Sequence, residues 1–139
     1  MTPSLRLCVT AAPSLQQTID HLIDCFARHD TESYFACFHP EARFVFHTVP
    51  DEVLSKAAYR QRWHQWELET GFQVLGCTSL APQLSYYGDC AVLSHQVRTR
   101  LRSLEGELSL LERESIIFQQ QQDGRWLCIH EHLSPLGAL

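Results

Sequence analysis

From Phe72 onward the chain is a run of long segments rich in β-branched and aromatic residues, about 72–84, 90–102, 107–121 and 126–134, separated by short glycine turns. Tyr87-Gly88-Asp89, Leu104-Glu105-Gly106 and Asp123-Gly124 each place glycine where a hairpin needs a positive φ, and Asp-Gly is the strongest of the three signals. Strands joined this tightly pair antiparallel with their sequence neighbours. The C-terminal half is thereby committed to a four-stranded meander, and whatever precedes it must cover one face of that sheet.

The N-terminal half supplies the cover. Ser14 and Gln17 make a capping box after Pro13, and Leu15, Ile19, Leu22, Ile23 and Phe26 recur at helical spacing, which predicts an amphipathic helix over 14–29. Asp30 and Thr31 offer the cap of a short second helix with Tyr34, Phe35 and Phe38 on its apolar face, stopped by His39-Pro40. Residues 42–47 read as a strand, and Val49-Pro50-Asp51-Glu52 as a loop. Ser55 caps a third helix whose Tyr59, Trp63 and Trp66 share one stripe, closed by Gly71 at the C′ position. Helices followed by sequential strands indicate an α+β fold with the helices on one face of a curved sheet.

With 139 residues, 45% of them hydrophobic, the chain suits one domain spanning 1–139. Ten Arg and a single Lys, Lys56, against sixteen Asp and Glu give a net charge of −5, without the basic footprint that nucleic acid requires. No apolar stretch approaches the roughly 20 residues of a membrane helix. The run 7–12 is shorter than the apolar region of a signal peptide, so a cytoplasmic location is expected and no membrane partner. Cys8, Cys25, Cys37, Cys77, Cys90 and Cys128 stand singly in apolar patterns with no C-x-x-C, and read as reduced small hydrophobes. The glutamines at 119–122 read as a solvated hairpin tip.

The last hairpin carries a family resemblance. A D-G-x-W turn at 123–126, an apolar stretch and then H-x-H-x-S at 130–134 resemble the closing hairpin of SnoaL-like and nuclear-transport-factor-2-like (NTF2-like) proteins. The chain is most similar there to the calcium/calmodulin-dependent protein kinase II association domain and to ketosteroid-isomerase-like homologues, and the order of elements extends the likeness over nearly the whole chain. The resemblance implies a cone: three N-terminal helices packed in a strongly curved antiparallel sheet, a pocket at the open end, and a homodimer through the outer sheet face. It also implies that the face following the second histidine is the pocket face. The superfamily contains enzymes, transport factors and oligomerisation modules, so the fold alone does not select among them.

Alternation along the last strand puts Trp126, Cys128, His130, His132 and Ser134 on one face and Leu127, Ile129, Glu131 and Leu133 on the other, which the resemblance turns toward the cavity. A glutamate in an apolar aromatic pocket has a raised pKa and can donate or shuttle a proton. Glu131, Glu114 and His95 are therefore the candidate catalytic residues, with Tyr59 a hydrogen-bond donor. Phe44, Phe46, Tyr59, Trp63 and Ile129 are the candidate ligand-binding walls. Against this stands a plainer reading in which Glu112 and Glu114 pair with Arg98, Arg100 or Arg113 at the surface. His130 and His132 could face a metal together, with His47 the third ligand to hand, but the resemblance implies structural histidines and no metal site is expected. Arg98, Arg100 and Arg102 alternate along one outer face, while Val97, Ile116 and Leu133 occupy the positions that align with pocket arginines of association domains. No cofactor is expected. Two functions remain open: binding of a small hydrophobic or aromatic molecule, with cofactor-independent isomerase or cyclase chemistry through Glu131, or a non-catalytic association module with a residual pocket.

Overall fold

The computed structural model describes residues 11–136, so Cys8 and the start of the apolar run 7–12 lie outside the described residues. Each predicted helix begins on its predicted cap. Ser14 accepts from the Gln17 N–H while Gln17 returns the bond, opening α1 (Leu15–Ala27). The Asp30 carboxylate accepts from the Ser33 N–H at α2 (Thr31–Ala36), and Ser55 accepts from the Ala58 N–H at α3 (Lys56–Thr70). Gly71 ends α3 in the left-handed conformation, φ 67°. Among the described residues no helix is long and apolar enough to cross a membrane.

The strands are β1 (Phe38–Phe46), β2 (Leu54–Ser55), β3 (Gln73–Tyr87), β4 (Cys90–Ser103), β5 (Gly106–Gln120) and β6 (Trp126–Pro135). They form one sheet in the order β2-β1-β6-β5-β4-β3. The meander β3 to β6 is antiparallel throughout, as its turns require. β1 joins in parallel beside β6, pairing Phe44 with Glu131 and Phe46 with Leu133, because no tight turn links the two strands and either direction is open to them. β1 also begins earlier than residue 42: its ladder starts at Phe38, then skips His39-Pro40 before resuming at Arg43, an irregular stretch that tolerates proline's missing donor. The two-residue β2, which the sequence does not signal, pairs with β1 at the entry to α3.

Bulges bend the sheet around the helices. One lies between Leu80 and Gln83 of β3, where Ala81 takes φ 48°, and one at Ile117/Phe118 of β5 opposite Cys128–His130 of β6. Inside the curve, Tyr34, Phe35, Phe38, Phe44, Tyr59 and Trp63 pack mostly edge to face at centroid separations near 5–6 Å, a favoured aromatic geometry. The Trp63 indole N–H donates to Thr31 Oγ1 at 3.0 Å, tying α3 to the first residue of α2. Cys25, Cys37 and Cys128 are buried free thiols, as the apolar setting of the cysteines predicts.

Two backbone positions test this account. Gly71→Ala places a Cβ in a left-handed residue 3.1 Å from the exposed, movable Leu104 side chain, and is expected to cost about 1 kcal/mol in urea unfolding. Ala81→Gly relieves a left-handed alanine and is expected to be neutral or to stabilise by up to ~1 kcal/mol; a loss at Ala81 comparable to that at Gly71 would contradict the bulge geometry.

Candidate functional site

The sheet's inner face is set by alternation corrected for the bulges. β4 turns His95, Val97 and Thr99 inward, and β5 turns Glu112, Glu114, Ile116 and Phe118 inward. In β6 the bulge inserts Ile129, since Phe118 faces Cys128 while Ile117 already faces His130. Cys128 on one side of the insertion and Glu131 and Leu133 on the other therefore all look inward. Between this face and the helices lies a cavity of about 160 Å³. Its walls include Phe26 of α1, Tyr34 of α2, Phe46 of β1, and Tyr59, Trp63 and Trp66 of α3.

Of the residues singled out from the sequence, Glu131, Glu114, Phe46, Tyr59 and Trp63 line the cavity. Phe44 does not: it is fully buried in the core against Phe38 and Tyr59, at 4.9 and 4.7 Å. Ile129 is displaced from the wall by the bulge that it forms. His95 stands one layer back, its side chain wholly buried, and reaches the cavity only through Glu114. The surface pairing of Glu112 and Glu114 with arginines is also set aside. Glu112 binds His47 at 2.5 Å and Glu114 binds His95 at 2.7 Å, while Arg98 and Arg100 are exposed and Arg102 pairs with Glu107. His47 is thereby engaged away from His130 and His132, and among the described residues no cluster of His, Cys, Asp or Glu is arranged to hold a metal.

The carboxyls of Glu131 and Glu114 are hydrogen-bonded to each other. Burial pushes Glu131 well above the ordinary glutamate range, and the neighbouring Glu114 and then Glu112 charges add to it. Burial pushes Glu114 upward too, but the bonds from Glu131 and His95 and the charge of His95 outweigh it, so its value falls below the ordinary one. Glu131 holds the proton and Glu114 the charge. Glu131 Oε2 is buried and meets no N–H or O–H donor of the protein. Because Glu114 accepts, His95 donates from Nε2, and its Nδ1 meets Ser79 Oγ at 2.6 Å. A line of groups thus runs from half-buried Ser79 through His95 and Glu114 to Glu131.

Two further hydroxyls, Tyr34 and Tyr59, bond each other at 2.8 Å. Burial above all holds both phenols well above their usual value, so they are neutral. Ser79 and Tyr34 escaped the sequence reading as site residues. Tyr34 carries only the signal of a core aromatic, and Ser79 becomes a partner of His95 only through the β3–β4 register set by the bulge after Leu80. Glu112 shares the parity of Glu114 and was findable on that ground; its partner His47 was not.

The chain belongs to the SnoaL-like domain family, which residues 15–138 match. Similar solved structures include an NTF2-like protein of unknown function in nutrient uptake from Rhodospirillum rubrum, 14% identical with a TM-score of 0.77, covering 90% of this chain and 100% of that one. Another is an NTF2-like protein from Cytophaga hutchinsonii, 14% identical at a TM-score of 0.73, covering 98% and 100%. The association domain of CaMKII from C. elegans is 19% identical at 0.65, covering 86% and 92%. At these identities the likeness is one of fold. No curated protein matches the chain.

The charge assignment has a thermodynamic signature. A glutamate whose folded pKa is raised contributes stability that is full below the unfolded value and is lost as pH rises through the folded one; for Glu114, lowered, the loss comes instead as pH falls. Glu131→Gln keeps a hydrogen-bond donor to Glu114 and removes the first loss. The variant's stability relative to the natural protein is therefore expected to climb above pH ~4.3, by up to about 1.4 kcal/mol per pH unit until Glu131 ionises. Thermal unfolding of both proteins from pH 4 to 8 measures this, and parallel curves would refute it.

Proposed function

We propose that the cavity binds a small hydrophobic or aromatic molecule whose polar end meets Glu131, and that Glu131 exchanges a proton with it in cofactor-independent isomerase or cyclase chemistry. The observation that carries this reading is a buried carboxyl, without a protein donor at Oε2, facing an aromatic-lined space. About 160 Å³ suits a single ring with a short substituent, since an apolar cavity of ~150 Å³ takes up benzene. A neutral carboxylic acid donates a hydrogen bond to a developing oxyanion, and its strength grows where water is excluded. Glu114 lies in contact to receive the proton, and His95, held by Ser79, orients Glu114. Phe46, Tyr59 and Trp63 supply the flat walls.

A second reading, a non-catalytic association module, draws support from the CaMKII association and hub domains of similar fold. In it the homodimer forms through the outer sheet face, where Arg98 and Arg100 stand exposed beside Leu111 of the next strand, and the cavity is residual. Native mass spectrometry of freshly purified protein, with light scattering on the same sample, separates the two. A small molecule retained by a monomer or dimer, and lost in Glu131→Gln, supports the first reading. An empty protein that forms stable higher oligomers supports the second.

A further inference from the structure

The charges around the cavity are all of one sign. Among the described residues that line it none is Lys or Arg, whereas Glu112, Glu114 and Glu131 enter it from two adjacent strands. Val97 of β4, Ile116 of β5 and Leu133 of β6 add only apolar side chains to its sheet wall. Two of the three glutamates have a partner in the protein, His47 for Glu112 and His95 for Glu114. The third has none at Oε2, although Glu131 is 94% buried, its relative exposure being 6%. A buried acceptor without a donor costs roughly 1–3 kcal/mol. Its one carboxyl neighbour, Glu114, is itself an acceptor, so a proton is all that the protein has to offer the pair.

We infer that the ligand of this cavity is a small aromatic or alicyclic amine, bound as its ammonium ion, whose N–H takes the place of the Glu131 proton between Glu131 and Glu114. The inference rests on the ligand-binding part of the proposed function and specifies its ligand class; with the amine bound, Glu131 is the carboxylate and accepts rather than donates. An anionic ligand would enter a site with no cation to meet it and three carboxyls to oppose it. A neutral one would bring no opposite charge to a wall whose only charge-bearing side chains, among the described residues, are carboxyls. An ammonium ion supplies N–H donors and the opposite charge to these carboxyls, and Tyr34, Tyr59, Trp63 and Trp66, which line the cavity, add cation–π attraction. The exchange balances: the amine arrives as R–NH3+, Glu131 releases one proton to solvent, and the carboxylate stays to pair with the cation.

The other groups around Glu131 do not compete for that role. Tyr34 and Tyr59 approach from the helices, Cys77 from β3, Glu112 and Glu114 from β5, and Cys128 from its own strand. The phenols and thiols are held neutral by burial. Glu112 is occupied by His47 nearer the edge, and His95 acts through Glu114.

Benzylamine, benzyl alcohol and benzoate share one shape and differ in charge, so calorimetric titration of the full chain with each tests the inference, repeated in buffers of different ionisation enthalpy to count protons. Benzylamine is expected to bind with release of up to one proton, more tightly at pH 8 than at pH 6, and at least about tenfold more tightly than benzyl alcohol, with benzoate weakest. Glu131→Gln is expected to weaken benzylamine by about tenfold or more and to leave benzyl alcohol within about threefold. Benzyl alcohol or benzoate binding as well as benzylamine, or benzylamine binding Glu131→Gln undiminished or without proton release, overturns the amine assignment and leaves the ligand-binding function standing. Failure of all three probes to bind overturns both.

Discussion

Cys128 and Glu131 lie three apart in one strand and both face the interior, which the twofold period of a β-strand forbids unless a residue is inserted between them. The bulge at Ile129 is that insertion. Cys128 closes the core against β1 and the helices, and its N–H bonds to the Cys37 carbonyl. Glu131 opens the polar part of the cavity. Packing below the bulge and chemistry above it thus belong to one strand because of one extra residue, and the same irregularity contributes to the curve that makes an interior at all.

A cavity with aromatic walls and three glutamates is costly, because each carboxyl gives up water. The structure offsets that cost unequally. Glu112 receives a histidine from the turn after β1 and Glu114 one from β4, and Ser79 fixes the second histidine in turn. Glu131 is left to be neutral. Two chemically identical side chains in hydrogen-bond contact are therefore displaced in opposite directions from the ordinary glutamate range.

The elements of the fold were largely written in local signals: Ser14, Asp30 and Ser55 are caps, Gly71 closes a helix, and Gly88, Gly106 and Gly124 sit at the turns with positive φ. These act over a few residues, so one sequence displays them. β2 and the parallel seat of β1 depend on partners far along the chain and leave no local mark. The site divides in the same way. Glu131, Glu114 and Tyr59 follow from parity and helical spacing, whereas Ile129 was misplaced and Ser79 missed for one reason: bulges shift parity, nothing at Ile129 announces one, and at Ala81 the mark is only the adjacent Pro82, which does not fix the new register. Phe44 shows a different limit, since aromatic residues at one strand's inner positions divide between core and cavity according to the depth of the helices that cover them.

The parallel pairing of β1 with β6 has a consequence for how the molecule is made. Phe44 and Glu131, far apart in sequence, lie side by side in the sheet, and β6 is made after the other described strands. Contacts between distant segments form late because closing the loop between them costs entropy before any contact returns it. During synthesis the helices and β1 wait with an incomplete sheet edge and an unfilled aromatic interior, and the acid joins them only at the end. A chain cut short before β6 keeps Glu112, Glu114 and the aromatic walls but lacks Glu131 and the strand that joins β1 to β5, so the acid and the closure of the sheet are lost together.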